Sequence, residues 1–334
     1  MSDSPQFSLP PRLSFAVRPT PLQLLERLSR ELGGPRVWAK RDDLTGSVLS
    51  GNKVRKLEFT LAQALAQGAD TIITCGGLQS NHCRATALLC AQIGVRCELI
   101  LRGEARGPFD GNLLLDHLAG AAISTYPPEH YQKALPALLR EAADAARSEG
   151  RAPFVIPTGA SDGIGVWGYI AACAELRDDF ARAGISPGHI VCASGSGGTQ
   201  AGLSAGVALH GIDARVWGFA VCDDAAYFQR KVREDLLDWR QRYVVPLDLN
   251  AVSVRVIDDY IGPGYAQAGP EVFDTIRHLA SSEGLVLDPV YTGKAFHGLI
   301  EELKRGRFGD SGDIVFVHTG GVFGLFPQRD QFRF

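Results

Sequence analysis

No apolar run in this chain approaches the ~20 residues that a membrane-crossing helix needs. Neither sign of charge dominates. A formal net charge of −3 over 334 residues gives no electrostatic footing for nucleic acid or an anionic membrane surface. The seven cysteines include no Cys-x-x-Cys pair, and the eight histidines no His-x-x-x-His. The usual spacings of a zinc site are therefore missing, and no metal is expected. The thiols Cys75, Cys83, Cys90, Cys97, Cys173, Cys192 and Cys222 all sit in or beside apolar stretches. They read as buried and free in a reducing cytoplasm. The opening "MSDSPQFSLPPRLSF" has no basic segment followed by an apolar core, so an irregular arm is expected there rather than a secretory signal. Internal repeats, low-complexity tracts and Gly/Ser-rich linkers are also missing, so no clean domain boundary shows.

What is present is an ordinary globular composition, 45% hydrophobic and 21% charged, and a regular alternation of elements. From Thr71 onward short β-branched runs alternate with helical patterns. "TIITCGG", "VRCELILRG", "AAISTY", "FVIPTGAS", "HIVCASGSGGT", "ARVWGFAV", "SVRVIDDYIG", "LVLDPV" and "DIVFVHTGG" read as strands. Helices are expected from Asn81, within "GNLLLDHLAG", from His130 toward Ser148, through Tyr169 and Leu176, from Thr199 to Leu209, from Pro270 to Ser282, and around Leu299 and Leu303. Continuous apolar strands joined by helices predict an α/β fold with mostly parallel sheets covered on both faces. Nine or so such units exceed what one open sheet comfortably holds, so two sheets in two domains are expected.

Ligands in such folds sit beyond the carboxyl ends of the strands, which directs attention to four glycine-rich turns. "CGGLQSNH" ends with Ser80, Asn81 and His82 at the cap and first turn of a helix, where free N–H groups attract a carboxylate. Ser80 or Asn81 taken alone reads equally well as a simple N-cap. "ASGSGGTQAG" lines up small residues from Gly195 to Thr199 as a nest for one phosphate. A plain strand-to-helix turn is the alternative. It is no Walker loop, since no lysine follows Gly198. "PTGASDGIGVWGY" and "HTGG" complete a cleft ringed by backbone donors.

Against that cleft stands "LSGNKVRKLEF". Asn52 is a plausible N-cap, which makes Lys53 the first helical residue, with Val54, Leu57, Leu61 and Leu65 as the apolar stripe. Arg55 and Lys56 read as exposed cations on the helix face. The helix dipole and these neighbouring cations are expected to lower the Lys53 pKa. A low-pKa amine facing a phosphate nest suits pyridoxal phosphate, whose aldehyde forms a Schiff base with a lysine.

The combination resembles the tryptophan-synthase-like (fold type II) pyridoxal phosphate enzymes, and among them the group of D-cysteine desulfhydrases and 1-aminocyclopropane-1-carboxylate deaminases. The likeness runs from "RPTPL" through "WAKRDDLTG", "GNKVRKLEF", "GGLQSNH", "SGSGGTQAG" and "DPVYTGKAFHGL" to "HTGG". It implies a large cofactor-binding domain from 1–47 and 162–334. A small domain, 48–161, would carry the lysine and the substrate-carboxylate loop. It assigns Lys53 as Schiff-base lysine and general base, Asn81 to the cofactor's ring hydroxyl, and Gly195, Ser196, Gly197, Gly198 and Thr199 to its phosphate. Ser80, His82, Asn81 and Ser161 would bind substrate, with Tyr291 against ring and substrate, and Ser80 and Tyr291 taking part in catalysis. Thr319 would meet the pyridine nitrogen, where a neutral hydroxyl suits β-elimination.

The resemblance further implies a homodimeric cytoplasmic lyase that converts D-cysteine to pyruvate, hydrogen sulfide and ammonia. Alternatives are the cyclopropane deaminase, a lyase on another β-substituted alanine such as L-cysteate, or a non-catalytic amino-acid-binding protein. Deaminases of the family carry a tyrosine two residues before the histidine of the last glycine motif. Phe316 at that position implies the desulfhydrase side. Ser50, Ala160 and Asp162 depart from the family's glycine, glycine and asparagine. An unpaired Asp162 would repel a substrate carboxylate.

Overall fold

The computed structural model describes residues 7–104, 108–309 and 312–333. Its elements run β1 (Leu22–Leu24), α1 (Glu26–Leu32), β2 (Arg36–Lys40), α2 (Asn52–Ala66), β3 (Thr71–Gly77), α3 (Asn81–Ile93), β4 (Arg96–Arg102), α4 (Gly111–Leu118), β5 (Ala122–Tyr126), α5 (Pro128–Ser148) and β6 (Pro153–Val155). Then come α6 (Trp167–Ala183), β7 (His189–Ser194), α7 (Gly198–Leu209), β8 (Arg215–Ala220), α8 (Ala225–Arg242), β9 (Arg255–Ile257), α9 (Pro270–Glu283), α10 (Thr292–Lys304) and β10 (Asp313–Val317).

Two sheets form. The larger has the order β1-β2-β10-β7-β8-β9, with only β1 antiparallel to its neighbour. The smaller has the order β5-β4-β3-β6 and is parallel throughout. All strands of the smaller sheet fall between Thr71 and Val155, inside the chain of the larger. The central strands β7 and β10 are buried along their whole length, in keeping with their apolar centres Ile190–Ala193 and Ile314–Val317.

Three local expectations change. "LVLDPV" forms no strand, although Leu285 and Leu287 are buried in the core of the large sheet. The Asp288 carboxylate instead accepts from the backbone N–H groups of Val290, Tyr291 and Thr292, each at 2.9 Å, and folds the segment into the turn that opens α10. The second change is α8, a helix not read from the sequence. Asp224 caps it through the Tyr227 N–H at 2.7 Å, and Phe228, Val232, Leu236 and Trp239 form its buried stripe. Third, α2 begins at Asn52 with Gly51 as its cap residue, so Lys53 is the second helical residue.

Arg55 and Lys56 are buried, not exposed. Helix α2 crosses α6 so closely that a Cβ on Gly168 would lie 2.7 Å from the Arg55 carbonyl oxygen and 2.8 Å from the Lys56 nitrogen. Arg55 then bonds Asp42 at 2.7 and 2.8 Å and Glu175 at 3.0 Å, while Tyr169 donates to Asp42 at 2.6 Å. Lys40 joins Glu175 at 2.5 Å and Asp179 at 2.6 Å. Burial alone would weaken the Arg55 charge, but Asp42 and Glu175 more than offset it and hold the guanidinium above its ordinary value. This buried ionic network pins the lysine-bearing helix to the large sheet.

Candidate active site

The carboxyl ends of β3 and β7 and the segment after β10 face one cleft of about 370 Å³. It brings together Lys53, Ser80, Asn81, His82, Ser161, Gly195, Ser196, Gly197, Thr199, Tyr291 and Thr319. Gly198 stands directly behind them, its N–H donating to Ser161 Oγ at 3.1 Å.

Lys53 reaches the cleft because the loop before α2 lies against the segment after β10. A Cβ on Gly51 would fall 2.5 Å from the Thr319 carbonyl oxygen, so only glycine permits that contact. The Asn52 N–H donates to the same carbonyl at 3.2 Å, and Asn52 Nδ2 donates to Thr199 Oγ1 at 2.9 Å. The Asn52 side chain therefore braces the phosphate loop instead of capping its own helix. Among the described residues no hydrogen bond or ion pair engages Lys53 Nζ. Burial pushes its pKa down to about 8. Desolvation, not the flanking cations, is the cause.

The loop from Gly195 to Thr199 leads into α7 and is backed by two amines that the sequence reading left outside the site. Lys56 Nζ lies 3.1 Å from Ser161 Oγ, and Lys231 Nζ on α8 donates to the Ser161 carbonyl at 3.1 Å. Burial, then the nearby Lys53 charge, holds the Lys56 amine well below its ordinary pKa. No carboxylate contacts it among the described residues, so a dianion in the loop is the partner it lacks. A Cβ on Gly198 would fall 3.0 Å from Lys56 Nζ and 2.7 Å from Ser161 Oγ, so a side chain there would fill the cradle. The donor set fits a phosphate group.

Ser161, expected at the substrate, belongs to this cradle. Its hydroxyl accepts from Gly198 and Lys56 and donates to Ser196 Oγ at 2.8 Å. His82 also changes role. Thr74 Oγ1 gives its single proton to the Ile156 carbonyl at 2.8 Å, so His82 Nε2, 2.8 Å from that hydroxyl, must be the donor. Burial, then Lys53 and Lys56, keeps the imidazole neutral, and Nδ1 has no partner. A ring in this state cannot donate to a carboxylate. What remains for an anion is the first turn of α3, where the N–H groups of Asn81 and His82 precede the first intrahelical bond, from Arg84 N to the Ser80 carbonyl. Ser80 Oγ accepts from Cys83 N at 3.2 Å and so caps α3 while lining the cleft. Both readings of Ser80 hold together.

Tyr291 packs on Gly195, where a Cβ would meet its ring at 2.8 Å, and its hydroxyl lies 2.6 Å from that of Tyr265. Tyr265, in the segment after β9, carries the Arg102 guanidinium over its ring at 4.8 Å. Neither Tyr265 nor Arg102 had a signal in the sequence, because each reaches the cleft only through tertiary placement.

Phe316 does not line the cleft. It is buried in the large-sheet core against Phe296, with ring centroids 4.8 Å apart, so a hydroxyl there would enter the core rather than the site. Phe316 therefore does not distinguish the two activities at the cleft. Ser50 turns its hydroxyl to the Asp43 carbonyl at 2.8 Å, away from the cleft. Asp162 accepts from the N–H groups of Ile164 at 3.0 Å and Gly165 at 2.8 Å, and does not line the cleft. Ala160 takes the left-handed φ of 48°, a conformation that favours glycine.

Comparison with known proteins decides the family. The model of the pyridoxal-phosphate dependent enzyme family matches residues 13–320. The chain belongs to that family. The enzyme uses pyridoxal phosphate, and the Gly195–Thr199 loop with the unengaged Lys53 amine fits such a group. It is 42% identical over 318 residues to a putative 1-aminocyclopropane-1-carboxylate deaminase of Thermotoga maritima, covering 95% of this chain and 98% of the relative. It is 42% identical to the mitochondrial bifunctional D-cysteine desulfhydrase/1-aminocyclopropane-1-carboxylate deaminase of Arabidopsis thaliana, covering 95% and 80%. Identity to the D-cysteine desulfhydrase of Salmonella typhimurium is 38%, covering 96% of both chains. The crystal structure of a 1-aminocyclopropane-1-carboxylate deaminase homologue superposes with a TM-score of 0.85 at 36% identity, covering 96% of this chain and 95% of that one. A fungal L-serine ammonia-lyase from Rhizomucor miehei shares the fold at a TM-score of 0.68 and 18% identity, covering 96% and 100%. The fold type II architecture read from the sequence is borne out.

Proposed function

We propose that the enzyme is a β-eliminating lyase on a small amino acid, with D-cysteine and water as substrates and pyruvate, hydrogen sulfide and ammonia as products. The observation that carries this reading is the buried Lys53 amine, with a pKa of about 8, sharing one cleft with the α3 N-terminus and the Tyr265–Tyr291 pair. The relatives named as D-cysteine desulfhydrases support it.

Bound pyridoxal phosphate supplies an aldehyde for the substrate amine and an electron sink for the pair left when the Cα proton departs. The chain supplies the rest. Gly195 to Thr199, Ser161 and Lys56 hold the phosphate. Lys53 Nζ would hold the aldehyde until the substrate amine replaces it, and as the freed amine would take the proton from Cα. Ser80 Oγ and the N–H groups of Asn81 and His82 bind the α-carboxylate. Asn81 bonds the ring hydroxyl. Tyr291 gives its proton to the departing sulfur, and Tyr265 is hydrogen-bonded behind it. Thr319 meets the ring nitrogen with an uncharged hydroxyl. Asp223, the sole carboxylate among the described residues lining the cleft, is exposed. We further propose two lobes, 48–161 and the remainder, in a cytoplasmic homodimer. The seven unpaired cysteines support that compartment.

The cyclopropane deaminase is the second reading, favoured by the relative that carries both names and by the removal of Phe316 from the site. Both enantiomers of cysteine and of chloroalanine, with L-cysteate and 1-aminocyclopropane-1-carboxylate, are to be given to the holoenzyme with a keto-acid readout. Pyruvate formed fastest from D-cysteine supports the lyase. If 2-oxobutanoate from the cyclopropane were the only keto acid, the lyase reading would be replaced by the deaminase. Loss of all turnover in Lys53→Ala is expected in either case.

A further inference from the structure

Arg84 is fully buried on α3, one turn beyond Ser80, and every acceptor it has is neutral. One terminal nitrogen donates to Asn81 Oδ1 at 3.3 Å and to Asn112 Oδ1 at 2.8 Å, and the other to the Ser50 carbonyl at 2.6 Å. Its guanidinium lies 4.8 Å from the Phe323 ring centroid, and Nε has no acceptor. Among the described residues no carboxylate stands within ion-pair distance. A buried charge of this kind is tolerated where something else balances it.

The same contacts fix the Asn81 amide. Its Oδ1 accepts from Arg84 and, at 3.0 Å, from Asn112 Nδ2. Asn112 is held in turn by Gln79, through Nδ2 to the Gln79 carbonyl at 3.0 Å and its N–H to Gln79 Oε1 at 2.8 Å. Arg84 carries donors only, so a flipped Asn81 would set N–H against N–H. The oxygen therefore stays with Arg84, and the NH₂ group is left for the cleft that Asn81 lines.

We propose that Arg84 is a positioning residue for the cofactor: acting through Asn81, it supplies the positive field that keeps the cofactor's ring hydroxyl ionised, and that oxygen is the counter-charge Arg84 otherwise lacks. This rests on Asn81 as the partner of the ring hydroxyl. The titratable groups around this corner are Lys53 and Lys56 on α2, His82 and Cys83 on α3, and Asp116 on α4. Burial leaves the imidazole neutral and the Cys83 thiol protonated, and pushes Asp116 up to about 8. It pushes Arg84 down only to about 10, so Arg84 remains the fixed charge at neutral pH.

The test is a pH titration of the bound cofactor's absorbance in the holoenzyme, together with its dissociation constant. Neither readout requires turnover, so failure of the lyase reading would not be mistaken for failure here. Arg84→Gln is expected to raise the ionisation midpoint of the ring hydroxyl by about one unit or more and to weaken cofactor binding about tenfold. Arg84→Lys keeps the charge and is expected to stay within about half a unit of the parent. Asn112→Asp places a carboxylate on the intact guanidinium and is expected to shift the midpoint as Arg84→Gln does, which serves if Arg84→Gln fails to fold. The Asn81→Ala/Arg84→Gln double variant is expected to shift by less than the sum of the two single shifts, because Asn81 carries part of the Arg84 effect. A parent-like titration in Arg84→Gln, or in Asn112→Asp if it must stand in, overturns the proposal, as does a double-variant shift equal to the full sum of the two single shifts. No shift in Asn81→Ala overturns both the proposal and the Asn81 assignment.

Discussion

The hydroxyls of Tyr265 and Tyr291, which both line the cleft, meet at 2.6 Å, and burial raises both phenols above their ordinary pKa. Both therefore stay protonated well above neutral pH, ready to donate. In the proposed elimination Tyr291 is the donor and Tyr265 its support. Tyr291→Phe is expected to lower kcat/KM about 10²–10³-fold, and Tyr265→Phe about tenfold. The double variant should be no worse than Tyr291→Phe, because the two hydroxyls act as one unit. Steady-state pyruvate assays decide this, and equal losses in the two single variants would remove the assigned order.

Among the described residues Lys56 Nζ has one hydrogen-bond partner, the neutral Ser161 Oγ at 3.1 Å, and it faces the loop that ends at Thr199. A bound phosphate would favour its charged form and add a charge-assisted hydrogen bond worth about 1.5–3 kcal/mol. Lys56→Ala is therefore expected to raise the cofactor dissociation constant about 10–100-fold, measured by equilibrium dialysis. Catalysis at saturating cofactor should fall much less. Unchanged affinity would place the phosphate elsewhere.

Most of this site was legible because its parts are local in sequence. "GGLQSNH" and "SGSGGT" each encode strand, turn and helix start in one short run, so Ser80, Asn81 and the Gly195–Thr199 loop follow from glycine and capping chemistry. What could not be read is which way a side chain turns once helices pack. Arg55 and Lys56 look like solvated cations until Gly168 lets α6 lie across them. Tyr265, Lys231 and Arg102 arrive from distant segments. Phe316 misled because the family resemblance gave only its place in the sequence, two residues before His318, whereas its ring packs on Phe296 in the core of the large sheet. The strand expected at Leu285 failed for a local reason that was visible: Asp288 before Pro289 and Thr292 is a turn former.

The Arg55 network yields a stability prediction. Removing the guanidinium would leave Asp42 buried without its cation, and Glu175, half-buried, with Lys40 alone. Arg55→Met is expected to cost about 3–5 kcal/mol in urea unfolding, since breaking a buried pair strands its partner. Arg55→Lys should recover little, because an ammonium cannot bond both carboxylates in the same fork geometry. Glu175 adds an acid limb. Burial would raise its carboxyl, yet Arg55 and Lys40 hold it down to about 2. Its contribution is present above the ordinary value of 4.5 and is lost as pH falls toward about 2. The parent should therefore lose stability below pH 4.5 more steeply than Arg55→Met, and parallel curves would contradict the coupling.

Lys53 gives the opposite limb. Its pKa in the folded protein, about 8, lies below the ordinary 10.5. In the cofactor-stripped enzyme the folded state therefore resists the proton that the unfolded chain accepts. Stability is unaffected above 10.5, where both states are neutral, and falls by about 1.4 kcal/mol per unit as pH drops toward 8. Below about 8 the penalty is constant. Lys53→Met removes the buried amine while keeping an unbranched side chain. It should raise the melting temperature of the stripped enzyme at pH 7, and the gain should fade as pH approaches 10.5. Cofactor binding reverses the order, because only the parent has the amine that holds the aldehyde. A stripped Lys53→Met variant that melts below the parent at pH 7 would mean that the Lys53 ammonium has a partner in the folded state, and the amine would then be too well stabilised to act as the base.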